Sequence, residues 1–224
     1  KGTHRGIKKF EEFSRKASKN NKRRIFTLKC DIRKFFDSVD QEILLDLIKR
    51  KIQDQNVIWL VEKIIRSFSK GLPLGNVTSQ LFANIYLNEL DQFAKHKLKI
   101  RYYLRYCDDF VILSDNEEYL KSLISKISEF LKANLKLNLH PNKIIIRKFI
   151  QGVDFLGYVI FPHHKILRTK TKRRMMKKIS LNYKTLRERL ISEEEFNQSL
   201  QSYLGILRYC DGRGIEEEIG KISE

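Results

Sequence analysis

The stretch Arg101-Tyr-Tyr-Leu-Arg-Tyr-Cys-Asp-Asp-Phe-Val-Ile-Leu113 decides how the rest of the chain is read. Tyr102, Leu104 and Tyr106 alternate with Tyr103, Arg105 and Cys107, and Phe110 to Leu113 follow as an unbroken apolar run. Two β-prone segments flanking a polar break predict strand, tight turn, strand, with Asp108 and Asp109 at the turn. Aspartate is an ordinary turn residue, because its side chain bonds nearby backbone and tolerates unusual dihedrals. Two adjacent carboxylates between strands this apolar are less ordinary. They repel unless a cation neutralises them, and Mg²⁺ favours such oxygen ligands. On this stretch alone a plain turn and a metal site explain the residues equally well, so a third carboxylate has to decide.

Working outward, RIFTLKCDI alternates in the same way and delivers Asp31 to the end of a strand. RKFFDSVD follows as a turn, with Ser38 (at capping-box spacing from Gln41) and Asp40 as rival caps for a helix burying Ile43, Leu44, Leu47 and Ile48. Asn56 is the expected cap of the next helix, which carries Ile58, Val61, Ile64, Ile65 and Phe68. The loop Gly71-Leu-Pro-Leu-Gly-Asn76 excludes helix and lets backbone approach a ligand closely. Thr78 or Ser79 is the expected cap of a helix running to about His96, whose start offers amide donors to a phosphate. Asn116 opens a helix with Leu120, Leu123, Ile124, Ile127, Phe130 and Leu131 inward. Residues 143–149, 153–161 and 165–168 read as strands, and from Thr171 two helical pieces break near Ser192. Upstream, Thr3 is the expected cap of a helix with Ile7, Phe10, Phe13 and Ala17 on one face. The order strand, helices, hairpin is that of a split βαβ sheet, which sets the end of the first strand beside the hairpin tip. Three carboxylates there can hold two Mg²⁺ about 3.5–4 Å apart, the arrangement of in-line phosphoryl transfer.

Composition narrows the setting. The 224 residues carry 45 Lys and Arg against 27 Asp and Glu, a formal charge of +18, which favours a polyanionic partner, nucleic acid before an anionic membrane. Hydrophobic residues at 42% exclude a disordered tail. Cys30, Cys107 and Cys210 are far apart, without zinc spacing, and fit a reducing cytosol. No apolar run is long enough to span a bilayer, so no membrane partner is expected. The chain begins at Lys1, and we expect a piece of a longer polypeptide. The run Lys165, Arg168, Lys170, Lys172, Arg173, Arg174, Lys177 and Lys178 meets no acid along the sequence until Glu188, which favours a nucleic-acid role over a solvated face. Tyr203, Leu204, Leu207 and Tyr209 are expected to pack helices, and His163 and His164 to be loop residues.

Four motifs in order give this chain a resemblance to the catalytic core of reverse transcriptases, covering nearly all of it. CDIRKFFDSVD resembles the first palm motif, with Asp31 at its aspartate. GLPLGNVTSQLFANIYLNELD resembles the second, and YCDD, Tyr106 to Asp109, is similar to the Tyr-x-Asp-Asp box. HPNKI carries Lys143 where the family has a lysine near the leaving pyrophosphate, and DFLGYVI resembles the primer grip. The resemblance implies an α+β right-hand palm, a ferredoxin-like antiparallel sheet packed on helices, followed by a helical thumb segment with incomplete fingers. In this chain it implies a remnant of fingers or connector over 1–24, palm over 25–150, primer-grip strands over 151–170 and thumb helices over 171–224.

The same resemblance implies RNA-directed DNA synthesis, with Asp31, Asp108, Asp109 and Lys143 catalytic and Asp31, Ile32, Asp108 and Asp109 at two Mg²⁺, for which Mn²⁺ substitutes. It implies nucleotide contacts at Arg33, Lys34, Phe35, Phe36, Leu74, Gly75 and Gln80. Phe36 falls at the steric gate that leaves no room for a 2′-OH; of Phe35 and Phe36 we expect one in the core and one at the sugar, as adjacent strand-end residues point opposite ways. Primer and template contacts are implied at Tyr106, Cys107, Phe155, Leu156, Gly157, Tyr158, Lys170, Lys172, Arg173 and Arg174. The implied partners are template RNA, a DNA primer and deoxynucleoside triphosphates. Leu72-Pro73-Leu74-Gly75 in place of Leu-Pro-Gln-Gly, with Ser79-Gln80 after it, is similar to the enzymes of diversity-generating retroelements. That subtype implies error-prone copying, a small basic accessory protein and a bacterial or phage-encoded cytoplasmic enzyme. KGTHRG resembles the stretch that follows the fingers there, implying that cationic triphosphate contacts lie upstream. Group II intron and retron enzymes are the alternatives within the family, and a non-catalytic nucleic-acid-binding palm is the alternative outside it.

Overall fold

A computed structural model describes residues 2–73 and 75–223, with side chains to residue 221. They form two compact units, one of Lys16–Lys148 and one of Lys1–Arg15 with Phe149–Glu224. Among the described residues no helix is long and apolar enough to cross a membrane.

Helix α1 (Thr3–Ala17) opens the chain and buries Ile7, Phe10 and Ser14. Ser14 takes the inward position that the apolar pattern gave to Phe13 or Ala17, and its hydroxyl donates to the Glu11 carbonyl within the helix.

The larger unit then proceeds through β1 (Phe26–Cys30), a helical turn α2 (Phe35–Ser38), α3 (Gln41–Lys49), α4 (Gln55–Arg66), α5 (Val77–Gln92), β2 (Tyr103–Tyr106), β3 (Asp109–Ser114), α6 (Glu117–Leu135) and β4 (Ile145–Lys148). Its sheet runs β2-β3-β1-β4, antiparallel throughout. This is the expected split βαβ order, and it explains the residue patterns. β3 is covered on both faces, so Phe110 to Leu113 form an unbroken buried run. β1 alternates, with Leu28 and Cys30 joining a core built against Leu44, Leu45, Tyr86, Leu87, Leu90, Leu123, Ile127 and Leu131.

Of the two rival caps for α3 one wins, and two further helix starts differ from expectation because a better-placed side chain caps them. Asp40 caps α3, accepting the amides of Glu42 and Ile43. Asp54, not Asn56, caps α4, and Asn76, not Thr78 or Ser79, caps α5. The cap must sit just outside the first helical turn with extended backbone, and these residues do. α5 ends in a widened π turn over Phe93–Lys97.

The smaller unit holds a three-stranded antiparallel sheet, β5 (Val153–Phe155), β6 (Tyr158–Ile160) and β7 (Lys165–Leu167), with α7 (Thr169–Arg187), α8 (Glu193–Leu207) and α9 (Arg213–Ser223). Residues 153–161 are a hairpin and not one strand, because Leu156 and Gly157 both take positive φ and turn the chain in two residues. The helical end has three pieces, the last break falling at Asp211-Gly212. Phe10, Phe155, Met175, Ile179, Phe196 and Leu207 are buried in this unit, and Phe10 packs on Phe155 with ring centroids 5.5 Å apart.

Asp40 also receives the Lys136 ammonium at 2.6 Å. That hydrogen bond holds its carboxyl below the ordinary value near 3.8, against the opposing pull of burial. A depressed carboxylate stabilises the fold above its ordinary value and loses that contribution as pH falls through the folded-state value. Asp40→Ala is therefore expected to cost about 1 kcal/mol at pH 7, with the gap from the parent closing below the ordinary carboxylate range, as read by urea unfolding at both pH values.

Candidate active site

Sheet register builds the site. β1 pairs with β3 through Cys30 and Phe110, so one step further sets Asp31 opposite Asp109. β1 pairs with β4 through Lys29 and Ile145, so two steps further brings the chain near Lys143 alongside Asp31. Residues opposite one another in antiparallel strands share a face, and the side chains meet there. Lys143 Nζ lies 2.6 Å from Asp31 Oδ2, and Lys29 Nζ lies 3.7 Å from Asp109 Oδ2.

Backbone bonds hold Asp31 and Lys143 in place. The Asp31 carbonyl accepts the His140 amide at 2.8 Å, and the Arg33 amide donates to the Asn138 carbonyl at 2.9 Å. Ile32 bridges Leu139 and its side chain is buried, so only its backbone is available to a ligand. The lysine rides on a 3₁₀ turn, Pro141–Lys143, with Pro141 at its first position and His140 Nδ1 accepting the Asn142 amide. His140 was not singled out in the sequence, although the Pro after it is the signal for such a turn.

The hairpin differs from expectation in one respect. Tyr106 pairs with Asp109, so the two turn residues are Cys107 and Asp108, and Asp109 is the first residue of β3. Cys107 takes φ 53°, a left-handed conformation unusual for a residue with a Cβ. Burial, first of all, pushes the Asp108 carboxyl above the ordinary range. Its own backbone N–H opposes this, the charges of Asp31 and Asp109 add to it, and Lys143 eases it. The Asp31 hydrogen bond raises the Lys143 ammonium in turn, with all three carboxylates contributing. The four side chains are thus one electrostatic group with Lys143 as its internal cation.

The donor chemistry fits a hard divalent cation: carboxylate oxygens in mutual repulsion, with no sulfur or imidazole among them. Among the described residues, no group of three or more His, Cys, Asp or Glu is placed as it stands to hold a metal ion. Lys143 on Asp31 and Lys29 on Asp109 take up negative charge that such a cation would meet. Burial pushes the Cys107 thiol up first, the Asp108 charge second, and burial alone pushes Cys30 up to about 12. Neither is primed as a nucleophile.

Phe35 and Phe36 lie on a helical turn, entered through Lys34 at φ 44°, and not on a strand end. Phe35 is core and Phe36 is half-buried, its ring edge-on to Phe35 at 5.2 Å. Arg33 and Lys34 are exposed. The Phe36 carbonyl accepts the Leu72 amide at 2.8 Å. Gln41, which the sequence reading took only as half of a rival cap, donates to the carbonyls of Phe68 and Gly71 and so ties the Gly/Pro loop to this turn. Leu74 lies outside the described residues. Gly75 (φ 85°) and Gln80 are exposed at the end of that loop and the first turn of α5.

In the smaller unit, Phe155 and Tyr158 are buried, Tyr158 donating to the Ile206 carbonyl at 3.2 Å. The half-buried Leu156 and Gly157 make the hairpin tip. Along the basic run, Lys165 pairs with Glu11, Arg168 with Asp154 and Lys172 with Glu218. The expected absence of neutralising acids was a property of the sequence alone, because these three acids come from distant segments. Lys170, Arg173, Arg174, Lys177 and Lys178 are exposed. Tyr209 is half-exposed and stacks on His4 instead of packing between helices.

A family model described as reverse transcriptase (RNA-dependent DNA polymerase) matches residues 2–160. The chain belongs to the reverse transcriptase family. Within this family it is similar to the group II intron-encoded protein LtrA of Lactococcus lactis subsp. cremoris, at 26% identity over 68% of this chain and 37% of that protein. It is also similar to the retron Ec73 reverse transcriptase of Escherichia coli, at 27% identity over 83% of this chain and 62% of that protein. The chain therefore spans less than two thirds of the length of either relative. In structure it is similar to apo telomerase from Candida tropicalis truncated from its C-terminal domain, with a TM-score of 0.56 at 18% identity over 75% of this chain and 40% of that one. At that identity the likeness speaks of the fold, a polymerase-type α+β sheet on helices.

Two outcomes follow from the geometry. A Cβ on Gly71 would run into the Phe36 carbonyl oxygen and lie 2.9 Å from Asp37 Cα, at φ 56°, so Gly71→Ala should cost about 2 kcal/mol or more in denaturant unfolding. Gly75→Ala, strained but open around its Cβ, should cost less. Asp108→Asn should raise the melting temperature at neutral pH without divalent cations, because it removes a buried charge whose ionisation opposes folding. That gain should vanish at acid pH, where the parent carboxyl is neutral as well.

Proposed function

We propose that this chain is the catalytic part of an RNA-directed DNA polymerase that adds deoxynucleotides to a primer 3′-OH. One observation carries the reading: in a chain of this family, strand register sets Asp31 opposite Asp109, next to Asp108 at the hairpin tip, with Lys143 Nζ 2.6 Å from Asp31. In this reading residues 25–150 are the palm, 151–170 the primer grip, 171–224 the thumb and 1–24 the end of the fingers region.

Asp31 and Asp108 would hold two Mg²⁺, with Asp109 a weaker ligand. When bound, the ions supply activation of the primer hydroxyl and neutralisation of the leaving pyrophosphate. Lys143 keeps its proton, since its partner carboxylates stabilise the ammonium, and it presents that charge toward the pyrophosphate. The half-buried Phe36 ring lies under the sugar and excludes a 2′-OH. The backbone at Gly75 and the start of α5 approach the nucleotide. Lys170, Arg173 and Arg174 meet the primer–template backbone as exposed cations, and such contacts weaken steeply with salt. Lys172, held by Glu218, contributes less than its sequence position suggests.

Leu74 and the Ser79-Gln80 pair support the diversity-generating retroelement type, with template RNA, an accessory protein and a bacterial or phage host. Similarity to LtrA and to the retron Ec73 enzyme favours a second reading, a group II intron or retron type.

Asp31→Asn or Asp108→Asn in the full-length enzyme is expected to lower Mg²⁺-dependent primer extension by about two to three orders of magnitude. Extension near the parent rate would point to a non-catalytic nucleic-acid-binding palm. Phe36→Ala should reduce discrimination against ribonucleotides by about tenfold or more, measured as the ratio of kcat/KM for the two nucleotide classes.

A further inference from the structure

Arg105 was not assigned a role in the sequence, yet it makes the densest set of bonds near the hairpin tip. It lies on β2 with its side chain only 8% exposed. Its Nε donates to Asp91 Oδ1 at 2.8 Å and its Nη2 to Asp91 Oδ2 at 2.7 Å, a bidentate pair across to α5. Tyr103, two residues earlier and so on the same strand face, donates its hydroxyl to the same Asp91 oxygen at 2.8 Å. The remaining arm, Nη1, donates to the Cys107 carbonyl at 2.9 Å and lies 3.4 Å from Asn84 Oδ1.

That carbonyl belongs to the peptide joining Cys107 to Asp108. A peptide is planar, so fixing its oxygen fixes the Asp108 N–H at its other end. The same plane ends at the Asp108 Cα, from which the carboxylate departs. The link is therefore continuous: Asp91 orients Arg105, Arg105 orients the 107–108 peptide, and that peptide sets the direction in which Asp108 leaves the turn. The turn needs such a hold. A two-residue hairpin turn with positive φ at its first position usually places glycine there. Cys107 occupies that position at φ 53°, where a Cβ strains the backbone. A buried, charge-assisted bond to its carbonyl opposes relaxation of the turn.

We propose that Arg105, held by Asp91, is the positioning residue for Asp108 and sets the affinity of the site for divalent cations. This rests on the metal-binding role proposed for Asp108 above. Lysine can keep the charge beside Asp91 but has no fork that also reaches the Cys107 carbonyl.

The test uses the full-length protein with Arg105→Gln, Arg105→Lys and Asp91→Asn, and with Asp108→Asn as a control. Mn²⁺ binding is titrated by electron paramagnetic resonance, the half-saturating Mg²⁺ of primer extension is measured, and melting temperature is recorded without metal. Arg105→Gln is expected to weaken Mn²⁺ binding by about tenfold and to raise the half-saturating Mg²⁺ to match, with Arg105→Lys between it and the parent. Asp91→Asn should add little to Arg105→Gln in the double variant, since both act through one link. Loss of melting temperature with Mn²⁺ affinity equal to the parent's would overturn the proposal, because a purely structural Arg105 moves the first and not the second. Should Arg105→Gln fail to fold, Arg105→Lys carries the same comparison. If Asp108→Asn itself leaves Mn²⁺ binding unchanged, the metal reading of Asp108 falls and takes this proposal with it. If only the Arg105 variants bind like the parent, the positioning role alone is wrong.

Discussion

Mutual repulsion among three carboxylates at one sheet edge is the constraint on which the larger unit depends. Asp31, Asp108 and Asp109 are brought together by strand register, and like charges in a partly buried site cost free energy unless compensated. The chain answers with cations of its own, Lys143 on Asp31 and Lys29 on Asp109. The Asp108 carboxyl still stays raised, through burial first and the charges of Asp31 and Asp109 after it. A group left short of positive charge is unfavourable for folding and favourable for capturing a cation.

Around that edge, much of the surrounding structure serves to hold backbone in conformations it would not choose alone. Lys34 and Cys107 both take positive φ, one leading into the Phe36 turn and one preceding Asp108. Each is supported from a neighbouring segment. Gln41 and Gly71 brace the first through the Leu72 amide and the Phe36 carbonyl. Arg105 and Asp91 brace the second. Placing reactive groups on strained turns keeps them clear of the regular hydrogen-bond ladder, and long-range polar bonds then provide the rigidity that the ladder gives elsewhere.

In the smaller unit electrostatics are also divided by tertiary contacts. The run from Lys165 to Lys178 is uniformly basic along the chain, yet Glu11, Asp154 and Glu218 neutralise Lys165, Arg168 and Lys172. The exposed remainder on α7 is a narrower cationic stripe than composition suggests. Phe155 and Tyr158, adjacent to the hairpin tip, are spent on the core, so only the tip itself faces outward.

Period-two alternation in the segments of β1 and β2, the unbroken run of β3 and the Gly/Pro loop were legible in the sequence, because alternation and turn chemistry are local properties. They sufficed for the split βαβ order and for naming Asp31, Asp108 and Asp109, while Lys143 was named only through the resemblance of its HPNKI motif. Caps were legible unevenly: Asn116 and, among rivals, Asp40 were read correctly, whereas Asp54 and Asn76 displaced the expected Asn56 and Thr78 or Ser79 by one or two positions that pattern does not resolve. Which acids meet which bases, that Phe36 sits on a helical turn, and that Arg105 reaches the Cys107 carbonyl were decided by tertiary structure alone. Those contacts join residues far apart in the chain, or depend on a backbone angle, and neither quantity is encoded in the spacing of residue types.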